Sequence, residues 1–317
     1  MSAPGKRESL REAYGKVLVE LGERDPDLVV FDSDLSGSTL TILFGQKFPD
    51  RFFNVGVMES TMMTMAAGMS LSGRTVFAST FAIFAAGQSY NYVRQSICYN
   101  HANVKIVATH GGLLVGADGA THQIVEDIGL MRGLPGMTVI VPADAPTTRS
   151  AVRAVAERAG PAYVRLTPED LPVVTDGRFT IGKANELRGG SDLTFVAVGS
   201  MVARALEVAE ELGQVGVSVR VLDLASVKPF DEPALLRAAR DTGAILVLEE
   251  HSVLTGVGAL VASTTAENYP VPVRRVGVPD LFGESGEPWA LLDRYGMSKE
   301  RIREEAWELL RARGKVQ

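Results

Sequence analysis

The sequence predicts an α/β protein of two domains: a parallel-sheet domain, then a smaller α/β domain. Three observations carry this. Short apolar runs alternate with helical patterns along most of the chain. The runs are continuous rather than alternating, as expected of strands buried on both faces. A polar, turn-rich stretch, TPEDLPVVTDGRFTIGKANELRGGSD (167–192), separates two such series. The expected domains are residues 1–180 and 181–317, each long enough for its own core.

The first series opens with a helix, SLREAYGKVLVELGE (9–23), and a strand, LVVFDSD (28–34). A strand end, FFNVG, then runs into a Met-rich helix, MESTMMTMAAGMSL (58–71). Strands follow at RTVFAST (74–80), VKIVATH (104–110), MTVIVPAD (137–144) and AYVRL (162–166). Between them lie helical patterns at IFAAGQSYNYVRQSICY (83–99), HQIVEDIGLMRG (122–133) and PTTRSAVRAVAERA (146–159). The linker is expected to carry a short hairpin. The second series places strands at 192–200, 217–224, 244–252 and 273–278, with a helix at 201–213. A last amphipathic helix, 298–314, turns Ile302, Trp307, Leu309 and Leu310 inward.

Composition narrows the function. The chain is 46% hydrophobic and 22% charged, an ordinary globular balance. Its net charge is −6 and it has no Lys/Arg block, which argues against nucleic acid. The single cysteine, Cys98, excludes an intramolecular disulfide and fits a reducing compartment. No apolar run reaches the length of a membrane span, and MSAPGKRESLREAYG lacks the apolar core of a secretory signal. A soluble cytoplasmic protein is expected.

Sites in such sheets lie at the carboxyl ends of strands. That rule singles out DSDLSGST, STFAIF, THGGLLVGADGATHQ and VPADA. Glu59 stands between a strand end and an apolar helix, where a lone ionised carboxylate is costly unless something pairs with it. A first-turn glutamate favoured by the helix dipole is the plainer account. His110 and His122 flank the glycine-rich GGLLVGADGAT, which also holds Asp118. Glycine permits close backbone approach, and imidazole moves protons near neutral pH. The spacing fits no HExxH or Cys/His metal site, so no metal ligand is assigned. Phe81 and Phe84 are either core or an aromatic face for a flat heterocycle. GxGxxG after the first strand and GxxxxGK[ST] are both missing, so the usual phosphate cradles are not here.

FFNVGVMES, STFAIFA, THGGLLVGADGATHQIVEDIGLMRGLPGMTVIVPADA and AYVRL, in this order, resemble the C-terminal half of transketolase. The resemblance is closer to the small subunit of split, two-gene transketolases and covers nearly the whole chain. It implies a pyrimidine-binding domain, a C-terminal domain and thiamine diphosphate as cofactor. It also implies a large partner subunit whose GDG…N motif holds the diphosphate and Mg²⁺, in an α2β2 heterotetramer acting on a sugar or sugar phosphate. Glu59 matches the family's catalytic glutamate, which hydrogen-bonds the pyrimidine N1′ of the cofactor. Phe84, with Phe81, matches the aromatics packed on the aminopyrimidine, and Asp34 an aspartate beside the cofactor. His122 matches a histidine near the reacting carbonyl, and Asp118 an aspartate on a substrate hydroxyl. His110, Arg11 and Ser38 match the sugar-phosphate subsite.

The chain departs from the pattern twice. Ser60 stands where the family usually has Gln. Pro168 stands where it usually has a phosphate-gripping Arg, so a substrate other than an ordinary pentose or hexose phosphate is expected, with Arg165 or a partner residue as a substitute donor. Two rival readings are the β subunit of a 2-oxo acid dehydrogenase E1 component and a non-catalytic scaffold subunit. In VLEEHSVLTGVGALVA (247–262), His251 reads as structural or interfacial, with Gly256 and Gly258 allowing close helix packing.

Overall fold

Backbone pairing turns the apolar runs of the first half into one large sheet. The computed structural model describes residues 5–314. The strands are β1 (Val29–Asp32), β2 (Phe52–Asn54), β3 (Val76–Phe81), β4 (Val104–Thr109), β5 (Thr138–Ile140) and β6 (Ala162–Arg165). They lie in the order β5-β6-β4-β3-β1-β2, all parallel. Every residue of β1, β3, β4, β5 and β6 is buried, as continuous apolar runs require.

The second half supplies β7 (Asn185–Arg188), β8 (Leu193–Ala197), β9 (Val219–Asp223), β10 (Ser226–Lys228), β11 (Ile245–Ser252) and β12 (Val273–Val278). Its five-stranded sheet runs β12-β11-β8-β9-β7, with β7 alone antiparallel. β10 leaves this sheet and pairs antiparallel with β5, making seven strands in the first. Lys228 fastens the crossing by donating to the carbonyls of Arg132 (2.9 Å) and Leu134 (2.6 Å).

The main helices are α1 (Leu10–Arg24), α2 (Glu59–Ser70), α3 (Asp127–Arg132), α4 (Ala145–Glu157), α5 (Met201–Gln214), α6 (Glu232–Thr242), α7 (Val257–Asn268) and α8 (Lys299–Ala312). Side-chain caps start four of them. Ser9, Asp144, Asp231 and Ser298 accept the backbone N–H of Glu12, Thr147, Ala234 and Arg301. α8 buries Ile302, Leu309 and Leu310 as its periodicity predicts.

Several expectations change. The linker forms no hairpin among the described residues. Its Leu171–Pro172 pairs with Arg7–Glu8, and its β7 joins the second sheet. The helix expected over 122–133 begins only at Asp127, because the preceding residues are held between the domains: Ser252 N donates to Val125 O at 2.6 Å. The stretch 83–99 winds as two wide turns, Ile83–Gln88 and Val93–Cys98, around Tyr90–Tyr92. Such wide turns recur at functional sites.

Candidate active site

Strand register assembles a site at the carboxyl edge of the first sheet. β3 and β4 pair with Phe81 beside Thr109, so His110 meets the Phe81 ring. The two ring centres lie 3.7 Å apart. Phe84 lies parallel to Phe81 at 6.0 Å, and His122 stands edge-on, 5.6 Å from Phe84 and 6.4 Å from Phe81. The result is an aromatic wall carrying two imidazoles.

Arg11 joins this wall from α1. It donates to the Ser38 carbonyl at 3.1 Å, while its Nε is buried with no partner among the described residues. Burial, then the Arg11 charge, then His122 push His110 down to about 3. His110 is therefore neutral at neutral pH. The unfolded chain takes up a proton near the ordinary imidazole value of about 6.5, which the folded site refuses. Stability is thus level above that value and falls as pH drops through 6.5 toward 3. Urea unfolding of the isolated chain at pH 7 and pH 5 should show His110 contributing a loss on the order of 2 kcal/mol. His110→Asn should flatten the profile by that amount; equal slopes would refute the shift.

Glu59 opens α2, which packs against the 83–88 turn; Ser60 Oγ lies 3.4 Å from Ser89 Oγ. Glu59 is 2% exposed, and its Oε2 is buried with no hydrogen-bond partner among the described residues. An orphaned buried carboxylate oxygen is costly and points to a missing group. The neighbouring Val57 and Met58 are 76% and 53% exposed, so the apolar flanks of Glu59 face outward rather than enclosing it.

The loop after β1 is shaped by Asp32 rather than Asp34. Asp32 is buried and accepts from Leu35 N (2.7 Å), Thr39 Oγ1 (2.7 Å) and Thr41 Oγ1 (2.8 Å). Asp34 is exposed and exchanges two bonds of 3.1 Å with the Asn54 side chain. Asn54 also accepts from Gly56 N at 3.0 Å, which ties the approach to Glu59 to the same edge. Asp118 is exposed on the tip of the glycine-rich loop. The structure thus gathers Arg11, Ser38, Phe81, Phe84, His110 and His122; Glu59 is buried at the start of α2, which packs on the 83–88 turn, and Asp34 and Asp118 are exposed on the loops after β1 and β4. Among the described residues, no cluster of His, Cys, Asp and Glu is arranged to hold a metal ion. None of their helices is long and apolar enough to cross a membrane.

Two family models cover this architecture. The transketolase pyrimidine binding domain matches residues 7–173, and the transketolase C-terminal domain matches residues 182–302. The chain belongs to the transketolase family. Its chemistry is a transferase activity of the transketolase type, in a family that depends on thiamine diphosphate. It is similar to a split-gene transketolase solved as an inactive β4 tetramer: 49% identity, TM-score 0.90, 96% of this chain and 99% of that one. It is also similar to a 6-deoxy-6-sulfo-D-fructose transketolase subunit of Clostridium sp., 39% identical over 95% of this chain and 94% of the relative. An apulose-4-phosphate transketolase subunit from Phocaeicola vulgatus is 38% identical, covering 95% of this chain and 97% of the relative.

Within this transketolase chain, Arg165, the substitute donor expected for Pro168, is engaged elsewhere. It is 5% exposed, donates to Asp127 Oδ2 at 3.0 Å and to the Glu250 carbonyl at 3.0 Å, and is consumed by that network. His251 is fully buried and accepts from Gly129 N at 3.3 Å, a structural role between the domains. Glu249 caps α7 through Val257 N and Gly258 N. Sequence reasoning passes over Asp32, Asn54, Gln123 and Glu250. Asp32 is legible in principle, because it ends the apolar run and precedes Ser and Thr partners. Glu250 and Gln123 act across domains, and no local pattern marks them.

Proposed function

We propose that this chain is the small subunit of a split transketolase, moving a two-carbon ketol unit from a ketose to an aldehyde and active only with a large subunit. The observation that supports it most is the orphaned Glu59 oxygen, at the start of a helix packed on the turn that carries Phe84 of the aromatic wall. An aminopyrimidine fits both features: a ring to pack on Phe84 and Phe81, and a ring nitrogen for the Glu59 carboxyl. When bound, thiamine diphosphate supplies the nucleophilic carbon and the electron sink. Glu59 would hold a proton at the pyrimidine nitrogen, and Asp34 would serve as a further cofactor-binding group. His122 moves a proton at the reacting carbonyl oxygen. Asp118 accepts from a substrate hydroxyl, and Arg11, His110 and the Ser38 segment receive the anionic end of the sugar.

The diphosphate and Mg²⁺ are assigned to the large subunit, since this sequence has no GDG…N motif. Val57, Met58, Met65, Tyr92 and Tyr99 leave apolar surface exposed on and around α2, which supports docking of that large partner here in an α2β2 assembly. The inactivity of the related β4 tetramer agrees with this need. The lone cysteine supports a cytoplasmic location. Pro168 offers no donor, so an ordinary sugar phosphate is held less tightly, by about 1–3 kcal/mol. Relatives named for a sulfonated fructose and for apulose 4-phosphate carry different anions, in keeping with a variable anion end.

Steady-state kinetics on the chain mixed with its large subunit, thiamine diphosphate and Mg²⁺ test this. Ketol transfer should require the mixture. Pro168→Arg should raise kcat/KM for ribose 5-phosphate as acceptor, with xylulose 5-phosphate as donor, by about tenfold. Ordinary transketolase efficiency in the unmodified complex, unchanged by Pro168→Arg, would remove the case for an unusual substrate.

A further inference from the structure

The glycine-rich loop, residues 111–123, belongs to the first domain but is gripped along its length by the second. At its start, Glu250 is buried at the end of β11, and its Oε1 accepts the Leu114 backbone N–H at 2.8 Å. Ser200 fixes the other carboxylate oxygen at 2.6 Å. At its end, the Gln123 side chain is 6% exposed, and its Nε2 donates to Glu284 O of the second domain at 3.0 Å. The same nitrogen lies 3.4 Å from Leu113 O and 3.3 Å from Gly116 O. One amide therefore joins two points of the loop to the segment 283–285.

The fit between these segments is tight. Gly116 takes a positive φ of 73°, and a Cβ there would lie 2.8 Å from Pro288 Cγ. A Cβ at Gly119 would strike Ser285 Oγ, and one at Gly283 would strike Gln123 Oε1. Between these contacts Ala117, Asp118, Ala120 and Thr121 are exposed, while Gly119 is buried against Ser285. A fixed backbone with free side chains is how a loop presents groups to a ligand.

We propose that the second domain sets the position of this loop, with Gln123 and Glu250 as positioning residues acting through it on His122 and Asp118. The inference rests on the proposed roles of those two residues. Gln123 and Glu250 bond backbone groups of the loop rather than the His122 or Asp118 side chains. Gln123 follows His122 directly, and the backbone N–H groups of both donate to Gly119 O at 3.0 Å, so displacing the amide displaces the imidazole. An error of about 1 Å in such a group costs turnover by up to about a hundredfold. Glu59 and Phe84 lie on other elements and keep their places.

Two variants test it. Gly283→Ala adds one methyl in the second domain that evicts the Gln123 amide, and Gln123→Met keeps the volume but removes both donors. Hydrogen–deuterium exchange on the chain alone should speed up at least tenfold in 111–123 and stay unchanged in the strands. In the complex, kcat/KM for the ketose donor should fall about ten- to a hundredfold, while the Kd for thiamine diphosphate stays within about threefold. Unchanged exchange in the loop, or kcat/KM within twofold of the parent, overturns the proposal. So does faster exchange spread over the whole chain, which signals general loosening. A parent complex inactive on every ketose would instead refute the functional reading and leave the exchange result to stand.

Discussion

Glu59→Ala should lower kcat of the assembled complex by about a thousandfold, roughly 4 kcal/mol in the barrier, from the usual contribution of a positioned acid or base. The same substitution should not destabilise the chain. Glu59 Oε2 is buried without a partner among the described residues, so deleting the carboxyl removes a desolvation cost rather than a bond. The urea midpoint of the isolated chain should stay level or rise. Loss of activity without loss of stability is the mark of a group kept for chemistry rather than for folding. Glu59→Gln sharpens the test. It keeps the shape and one donor but cannot exchange a proton, so activity should be intermediate. A Glu59→Ala complex with full turnover would return the scaffold reading to first place.

Most of the fold is legible because its signal is local. Continuous apolar runs mark five strands of the first sheet, and the capping residues Ser9, Asp144 and Ser298 stand where expected helices begin. The helix α6, capped by Asp231, is not among the expected helices. Two other failures share one cause, tertiary demand on a short segment. His122–Glu126 reads as helix on its pattern, yet its backbone bonds elsewhere: His122 N and Gln123 N donate to Gly119 O, Ile124 O accepts from Gly112 N, and Val125 O accepts from Ser252 N of the second domain. Strand β10 is three residues long, too short to show a pattern, and it crosses to the other sheet. For the site, adjacent strand ends bring Phe81 and His110 together, and Phe84 and His122 pack on them. What is illegible is pairing. The sequence contains Asp127, Arg165 and Glu250 in three separate stretches and says nothing of their contact. Arg165 looks available for a substrate anion in the sequence, and in the fold it is buried with carboxylate partners.

That pairing makes a strong prediction. Arg165→Met should destabilise the isolated chain by about 3–5 kcal/mol, the usual cost of leaving a buried charge without its partner. Arg165 is the cation facing Asp127, which is 0% exposed and also accepts from Tyr163 OH at 2.7 Å. Glu250 is buried beside the same guanidinium. Burial drives the Glu250 carboxyl upward, and the Arg165 charge opposes this. Without Arg165, two carboxylates remain where water cannot reach, and they are released by unfolding or by protonation. Measured against the parent at each pH, the variant should therefore regain part of its lost stability as pH falls from 7 to 5. The double variant Arg165→Met/Asp127→Leu should regain part of the loss, since an apolar pair of similar volume can replace a buried ion pair. If Arg165 instead served the substrate anion, Arg165→Met would leave the midpoint unchanged and raise KM alone. The bonds to Asp127 and to the Glu250 carbonyl argue for the first outcome: this arginine holds the two domains to each other.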